Sequence, residues 1–432
     1  MKYGKRVGTA SLKTKIVLPN PVFKLSEIFK NNNYLLYVVG GAVRDHLMFE
    51  HSESKHEIQG TYSPKDVDLA TNARPREVES ILNAAGVRNF EKGESFGVWV
   101  AHIDGEDFEI ATLREESGYH DGRHPTKVYW VDAASDYKRR DLTINALFYE
   151  IPTDPNQLGL VVDFGKGVGF EDIMSKTIRV VGCPFDRFGE DKLRILRLVR
   201  FFSRYHEGDI LQMLDEKTVK AIEKFKDLRG NGVTGPRIQQ EFLAGLLKSW
   251  DTKSYLTNYF RLGLLPVVFP GLKIDFNDFN RLTAIADKNP VVVLAMMLRN
   301  NPHDVVRNKL NELNWPNEIS DEVSFLLKLT NVVEHWAHTD ASHLVKCAVH
   351  LTNERRMNVK VYGLILHNDV DLDVWKHFEN YEAPFYSGEY IEKEFGIAPG
   401  PEMGKKQREL QLTHYNDSFG LFLRTNKPIP RR

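Results

Sequence analysis

Cysteine is nearly missing from this chain: Cys183 and Cys347 are its only two among 432 residues. Two cysteines cannot build a disulfide framework or a cysteine zinc site, and they fit a reducing compartment, so a cytoplasmic setting is expected. Long apolar runs are also lacking. No stretch approaches the about 18 apolar residues of a membrane span, so no membrane partner is expected. The leading residues, MKYGKRVGTASLKTK, are basic but hold no apolar core of the kind a secretion signal needs. Charge of one sign is missing too: Lys plus Arg number 58 and Asp plus Glu 59, a net charge of −1. Contact with nucleic acid must then come from local basic patches rather than a global field. Hydrophobic residues at 42% and aromatics at 11% are ordinary and sufficient for buried cores. The length implies about two to four folded units.

The chain is organised around Tyr34 to Thr71. YLLYVVGGAVRDHL reads as a buried strand, a double-glycine turn and a helix start whose free N–H groups can face an anion. KDVDLAT then reads as a second strand with Asp66 and Asp68 on one face, because side chains alternate along a strand. Upstream, Pro21, Val22, Leu25, Ile28 and Phe29 suggest an amphipathic helix under the first strand. ARPREVESILNAAG reads as a helix ended by Gly86, and FGVWVAHI and FEIATL as strands. REESGYHDGRHPT, from Arg114 to Thr126, is polar and turn-prone, which marks a mobile loop. Ile178 to Val181 reads as one more short strand. From about Arg187 the pattern turns helical throughout, with GPRIQQEFLAGLLKSW, VVVLAMMLRN and DEVSFLLKLTNVVEHW as clear helices. The expected class is α+β: a head with a mixed β-sheet and helices, then an all-helical remainder.

Two constellations carry chemistry. Asp66 and Asp68 offer hard oxygen ligands suited to Mg²⁺, which accepts one or two carboxylates plus substrate phosphates. A bare D-x-D is equally a solvent-facing strand edge; GGAVRD before it favours the metal reading. Gly40 and Gly41 alone describe a plain turn, and Arg44 alone a surface charge, yet the turn after a buried strand sets Arg44 beside any phosphate held there. In RRDLTINA, the residues Arg140, Asp141 and Asn145 are the groups needed to clamp a phosphate and bond a ribose hydroxyl, although a capped start of a core element reads as well.

Taken together, GGAVRD, DVDLAT, RRDLTINA and EDKLRILRLVRF, in that order, resemble the class II tRNA nucleotidyltransferase and bacterial poly(A) polymerase family. ESFGVWV, VVDFGKGVGFEDI, GPRIQQEFLAGLLKS, LGLLPVVFPGL and APGPEMG extend the resemblance over nearly the whole chain. It implies a seahorse-shaped enzyme with a catalytic head (1–182), a nucleotide-recognising neck (183–260), a body (261–360) and a tRNA-binding tail (361–432). It implies Mg²⁺ on Asp66 and Asp68, triphosphate contacts from Gly41 and Arg44, and phosphate and ribose contacts from Arg140, Asp141 and Asn145. Nucleotide binding by Arg197 and Arg200 is implied in the same way. The expected activity is template-independent addition of CCA to tRNA 3′ ends, with tRNA, CTP and ATP as partners. Poly(A) synthesis, partial addition of CC or A, and non-catalytic tRNA binding are the alternatives.

Base choice can be argued from chemistry as well. Asp191 and Arg194, three apart on an expected helix, would be neighbours. A carboxylate accepts from the exocyclic amine of cytosine or adenine while the arginine donates to their ring acceptors. Uracil and guanine present the opposite groups and leave polar atoms unpaired. Alone, such a pair is an ordinary helix salt bridge. Arg204 extends the arc of Arg197 and Arg200 toward phosphate or RNA backbone, or toward solvent. Tyr119, Asp121, Arg123 and Pro125 match a family loop linked to specificity, or a bland surface loop. KKQREL and LRTNKPIPRR could track RNA backbone or be solvated. Trp336 and Trp375 read as core rather than base-stacking platforms. Two departures stand out: HSESKHEIQGTYSPK lengthens the segment before Asp66, and Phe164 replaces a common proline.

Overall fold

The computed structural model describes residues 4–6, 8–51, 63–64, 66–92, 97–119, 125–229, 233–274, 288–334, 386–407, 409–410 and 413. Most of the HSESKHEIQGTYSPK insert, Asp121, Arg123, Trp336, Trp375 and the LRTNKPIPRR segment lie outside them. The described residues fall into two compact units, one within 1–250 and 261–267, the other within 251–260 and 268–432.

The first unit is built on a sheet of nine strands: β1 (Gly4–Arg6), β2 (Thr9–Thr14), β3 (Leu36–Val39), β4 (Asp68–Thr71), β5 (Arg88–Glu91), β6 (Val98–Ile103), β7 (Glu106–Thr112), β10 (Phe148–Glu150) and β11 (Gly159–Asp163). Their order is β1-β2-β11-β10-β3-β4-β7-β6-β5. The β4–β7 pair is parallel and the others antiparallel, a mixed sheet as expected. β3 sits mid-sheet with all four residues buried, which is why its sequence is a continuous apolar run rather than an alternation. Helices α1 (Asn20–Asn31), α2 (Gly41–Glu50), α3 (Pro75–Ala84), α4 (Ala133–Lys138) and α5 (Val168–Met174) complete the head. α1 buries Val22, Leu25 and Phe29, spaced for one helical face; each buried side chain of this kind contributes about 1.5–3 kcal/mol.

Four details depart from the expected layout. Strands β1 and β2 lie in the basic leading residues, where no element was expected; β2 shows only Ala10 fully buried and gains its pairing from the distant β11. The segment read as a mobile loop contains strand β8 (Arg114–Tyr119) and the start of its partner β9 (Pro125–Trp130), with Tyr119 opposite Pro125. Ile178 to Val181 is no strand: it makes a single bridge between Val180 and Leu142. Finally β4 starts at Asp68, so Asp66 precedes the strand instead of sharing its face.

The VVDFGKGVGFEDI run folds as a turn around one buried carboxylate. Asp163 accepts from the backbone N–H of Gly165 at 2.6 Å and of Gly169 at 2.8 Å. Gly167, at φ +100°, takes a conformation that favours glycine.

Beyond α5 the first unit continues with α6 (Pro184–Glu190), α7 (Leu193–Tyr205), α8 (Glu216–Phe225) and α9 (Gly235–Lys248). α7 buries Leu193, Ile195, Leu196, Leu198, Val199, Phe201 and Phe202. In the second unit, helix Pro290–Leu298 is buried from Val291 to Leu298 and capped by the Asn289 side chain. Helices His303–Glu312 and Asn317–Glu334 follow, and Phe269 stacks on Trp315 at 5.6 Å. Helix Gly388–Phe395 begins at a Ser387 cap and ends at Gly396, which has φ +65°.

Candidate active site

The double glycine sets the geometry. β3 ends at Val39, directly opposite Asp68 of β4. Gly40, at φ +70°, makes the turn no other residue makes without strain, and α2 starts at Gly41 with its N-terminus beside Asp68. A Cβ on Gly40 would stand 3.7 Å from Asp68 Oδ2.

Arg44, one turn into α2, is only 5% exposed. Its Nε and Nη2 donate to the two Asp45 oxygens at 2.8 and 2.9 Å, and its Nη1 to Asn145 Oδ1 at 2.6 Å. The Phe201 ring lies under it at 4.8 Å and under Arg200 at 4.5 Å. Asp45 also receives Arg204 Nη2 and the Tyr205 hydroxyl, both at 3.2 Å. Burial alone would raise the Asp45 carboxyl, but the bonds and charge of Arg44, with Arg204 behind, bring it below the ordinary range. The guanidinium is therefore oriented before any ligand arrives.

Asp68 behaves oppositely. Desolvation raises its carboxyl above the ordinary value, and the charges of Glu109 and Asp66 push the same way against Arg140 and Lys92. Glu109 comes from β7, whose Ile110 pairs with Leu69 of β4, and it is ion-paired to Lys92.

The RRD stretch is anchored by a residue that sequence reasoning missed. Asp136 of α4, 0% exposed, accepts from Arg139 Nη2 at 2.6 Å and Arg140 Nε at 3.0 Å. Arg140 lies 4.5 Å over the Phe148 ring. Phe164 packs edge-on against the same ring at 5.4 Å, so the proline replacement fills an apolar gap. Asp141 accepts from Arg197 Nε at 2.7 Å and from the Leu142 N–H at 2.7 Å. Burial opposes its ionisation, yet the Arg197 charge carries the carboxyl down to about 2.

α7 and α9 run parallel, as three contacts in sequence order show. Arg237 Nη2 meets Asp191 Oδ2 at 2.9 Å, Glu241 meets Arg197 at 3.5 Å and Arg200 at 2.8 Å, and the Trp250 N–H meets the Ser203 carbonyl at 2.6 Å. The expected helical pair of Asp191 and Arg194 is corrected here. Asp191 has extended backbone at φ −144° in the kink between α6 and α7, where its Oδ1 accepts from the Leu193 N–H at 3.0 Å. Arg194, in α7, donates to Glu190 at 2.6 Å, to the Arg187 carbonyl and to the Arg139 carbonyl. The Arg194 N–H donates to the Asp191 carbonyl at 3.1 Å, while the two side chains bond other partners. A residue that closes a cap cannot also continue the helix.

These elements surround a cleft of about 360 Å³. Among the sequence-derived candidates, Gly41, Arg44, Asp68, Arg140, Asp141, Asn145, Arg197 and Arg200 line it, as does Arg204; Asp66, Asp191 and Arg194 do not. Phe201 and Lys248 line it as well. The signals for Asp45, Glu109, Glu241 and Lys248 are non-local: Arg204 reaches Asp45, Lys92 reaches Glu109 and Arg200 reaches Glu241 from other elements, and Lys248 comes to the cleft from α9. Asp136 stands only three and four residues before Arg139 and Arg140 and was locally available. The Asn145 Nδ2 is buried in the cleft wall without a partner, an orphaned donor that a ligand oxygen would satisfy.

Comparison with known proteins follows the same lines. Residues 36–179 match the family model described as the Poly A polymerase head domain. The chain is 30% identical over 396 residues to the CCA-adding enzyme of Pediococcus pentosaceus, covering 89% of this chain and 90% of that one. It is 29% identical over 403 residues to the mitochondrial CCA tRNA nucleotidyltransferase 1 of Mus musculus, covering 90% and 84%. The match to the Danio rerio protein of the same name, 33% over 308 residues, spans 67% of this chain and 63% of that relative. In fold, the chain resembles the Bacillus stearothermophilus CCA-adding enzyme solved with CTP, at TM-score 0.64 and 22% identity over 94% and 96% of the two chains. It also resembles the Thermotoga maritima CCA-adding enzyme solved with tRNA, at TM-score 0.60 and 19% identity over 92% and 91%. With the likeness running nearly end to end in the Pediococcus protein, the chain belongs to the family of CCA-adding tRNA nucleotidyltransferases.

Proposed function

We propose that this cleft adds CCA to the 3′ ends of tRNA, taking CTP and ATP and releasing pyrophosphate. The observation that carries the reading is the charge layout. Asp68 stands at one side of a cleft lined by five guanidinium groups, those of Arg44, Arg140, Arg197, Arg200 and Arg204. Carboxylates behind them already hold these groups: Asp45, Asp136, Asp141 and Glu241. Preoriented cations lower the cost of gathering a triphosphate and its transition-state charge.

In the reaction the tRNA 3′-oxygen bonds to the α-phosphorus. The bond from that phosphorus to the α–β bridging oxygen breaks, its electron pair leaves with pyrophosphate, and the hydroxyl proton passes to solvent. Gly41 and Arg44 hold the phosphates at the start of α2, and Arg140, Arg197 and Arg200 hold them from the other wall. Asn145 Nδ2 and Asp141 are placed for the ribose hydroxyls. Asp191 and Arg194 read the base, accepting from the amine of cytosine or adenine and donating to the ring.

The residues fit Mg²⁺. Desolvation, joined by the negative charges of Glu109 and Asp66, raises the Asp68 carboxyl, and a divalent cation would relieve the charge. Among the described residues no group of three His, Cys, Asp or Glu could hold a metal unaided, so Asp66 and Asp68 would share it with phosphate oxygens. Bound there, Mg²⁺ supplies activation of the attacking hydroxyl and neutralisation of the leaving pyrophosphate.

Within this reading, residues 1–182 perform the chemistry, 183–260 select the nucleotide, 261–360 form the body and 361–432 engage tRNA. A cytoplasmic setting accords with the scarcity of cysteine. Among the described residues no helix is long and apolar enough to cross a membrane. The test is incubation of the protein and Mg²⁺ with tRNA ending at the discriminator base. Growth by three nucleotides with CTP plus ATP, lost on chelation, supports the reading. No growth overturns it, and long A tails point to poly(A) synthesis on the same scaffold.

A further inference from the structure

The parallel helices α7 and α9 face each other in three successive levels. Arg237, Glu241 and Lys248 lie within about 40° of one another around α9, at 3.6 residues per turn. At the first level Arg237 meets the opposite charge of Asp191, and at the second Glu241 meets Arg197 and Arg200. At the third level, beside the Trp250 to Ser203 contact, the alternation fails: cationic Lys248 lines the cleft together with cationic Arg204. Arg204 reaches Asp45 at 3.2 Å. Lys248 is exposed and, among the described residues, has no ion-pair partner. Two cations at one end of a cleft, one of them uncompensated, are complementary to a polyanion.

Direction along the cleft identifies the anion. From Arg194 to Arg204, α7 rises about 15 Å, comparable to an extended nucleoside triphosphate. With the base at Asp191 and Arg194, the phosphates run along Arg197 and Arg200, and their terminal end arrives at Arg204 and Lys248. In-line displacement sends the leaving group away from the attacking hydroxyl, hence toward this same end. The geometry points to a pyrophosphate subsite formed by Arg204 and Lys248, which holds the γ-phosphate of the incoming nucleotide and then the departing pyrophosphate. This inference rests on the nucleotidyl-transfer reading and on the base lying at Asp191 and Arg194. Lysine suits release better than another arginine would, being a compact charge on a flexible stem rather than a fixed fork.

The test compares the full-length protein with its Lys248→Gln and Lys248→Arg variants, using inorganic pyrophosphate as an inhibitor of CTP incorporation. Lys248→Gln is expected to raise the pyrophosphate inhibition constant about tenfold, the cost of one charged contact, with the KM for tRNA at the wild-type value. Lys248→Arg restores inhibition. A raised tRNA KM with unchanged pyrophosphate inhibition overturns the proposal and assigns the rim to RNA backbone. Unchanged values for both overturn it in favour of a solvated lysine. If the wild-type protein extends no tRNA, the functional reading fails by itself. Calorimetric titration of wild type and Lys248→Gln with magnesium pyrophosphate then still decides the subsite, equal affinities counting against it.

Discussion

Replacing Asp141 with asparagine tests how the RRD motif is tied to the arginine helix. Asp141 accepts from Arg197 through Nε at 2.7 Å and Nη2 at 2.6 Å, and its carboxyl lies at about 2 rather than 3.8. A folded-state value below the unfolded one means that folding favours the ionised form. Stability from Asp141 is therefore fully present above pH 3.8 and is lost as pH falls through 2. At about 1.4 kcal/mol per tenfold, the gap is worth about 2 kcal/mol. Asp141→Asn should lower stability by about that amount at neutral pH. The loss should be the same at pH 7 and pH 5, should shrink below pH 4, where the unfolded chain's carboxyl takes up a proton, and should be gone once the folded-state carboxyl is protonated below about 2. Urea unfolding followed by helical circular dichroism at several pH values reads this difference. No loss at neutral pH, or a loss that persists undiminished to the acid limit, would refute the Asp141–Arg197 linkage.

Asp68→Asn should reduce transfer by about a thousandfold or more, the scale of removing several kcal/mol of metal-assisted stabilisation, while tRNA binding measured by gel shift persists. Because desolvation, Glu109 and Asp66 raise the Asp68 carboxyl, its ionised form opposes folding at neutral pH, so the same variant should melt higher than wild type without Mg²⁺. Asp45→Ala leaves Arg44, 5% exposed, without its bidentate counter-ion; a loss of about 3 kcal/mol is expected from breaking a buried pair, read by urea unfolding. Asp191→Ala should blunt discrimination against UTP by about tenfold or more, read from competing incorporation, and unchanged selectivity would return Asp191 to a purely structural role with Arg237.

How much of this was legible in the sequence follows from the range of the interactions. The buried run before Gly40, the turn, and the arginine stripe of α7 depend on neighbours within a few residues, and local pattern reveals them. β1 and β2 do not: TASLKT has little apolar character, and it becomes a strand because β11 offers an edge. The polar 114–119 segment likewise becomes a strand by pairing with residues 125–130. Asp191 reads as helical because EDKLRILRLVRF is uniformly helix-compatible, yet its carboxylate caps the Leu193 N–H and breaks the run. Individual motif residues were visible. The carboxylates that aim the arginines were not: Glu241 meets Arg197 and Arg200, and Asp45 meets Arg204, only through the fold, while Asp136, three and four residues before its arginines, reads as an ordinary surface acid although it is fully buried.

On this reading the enzyme chooses nucleotides as well as transferring them, the cleft holding the triphosphate and Asp191 and Arg194 reading the base. The most direct measurement supplies tRNA ending at the discriminator base with all four nucleoside triphosphates together, then sequences the extended 3′ ends. The account predicts C, C and A in that order and no further growth. Tails of A, or frequent U or G within the first three positions, would contradict it.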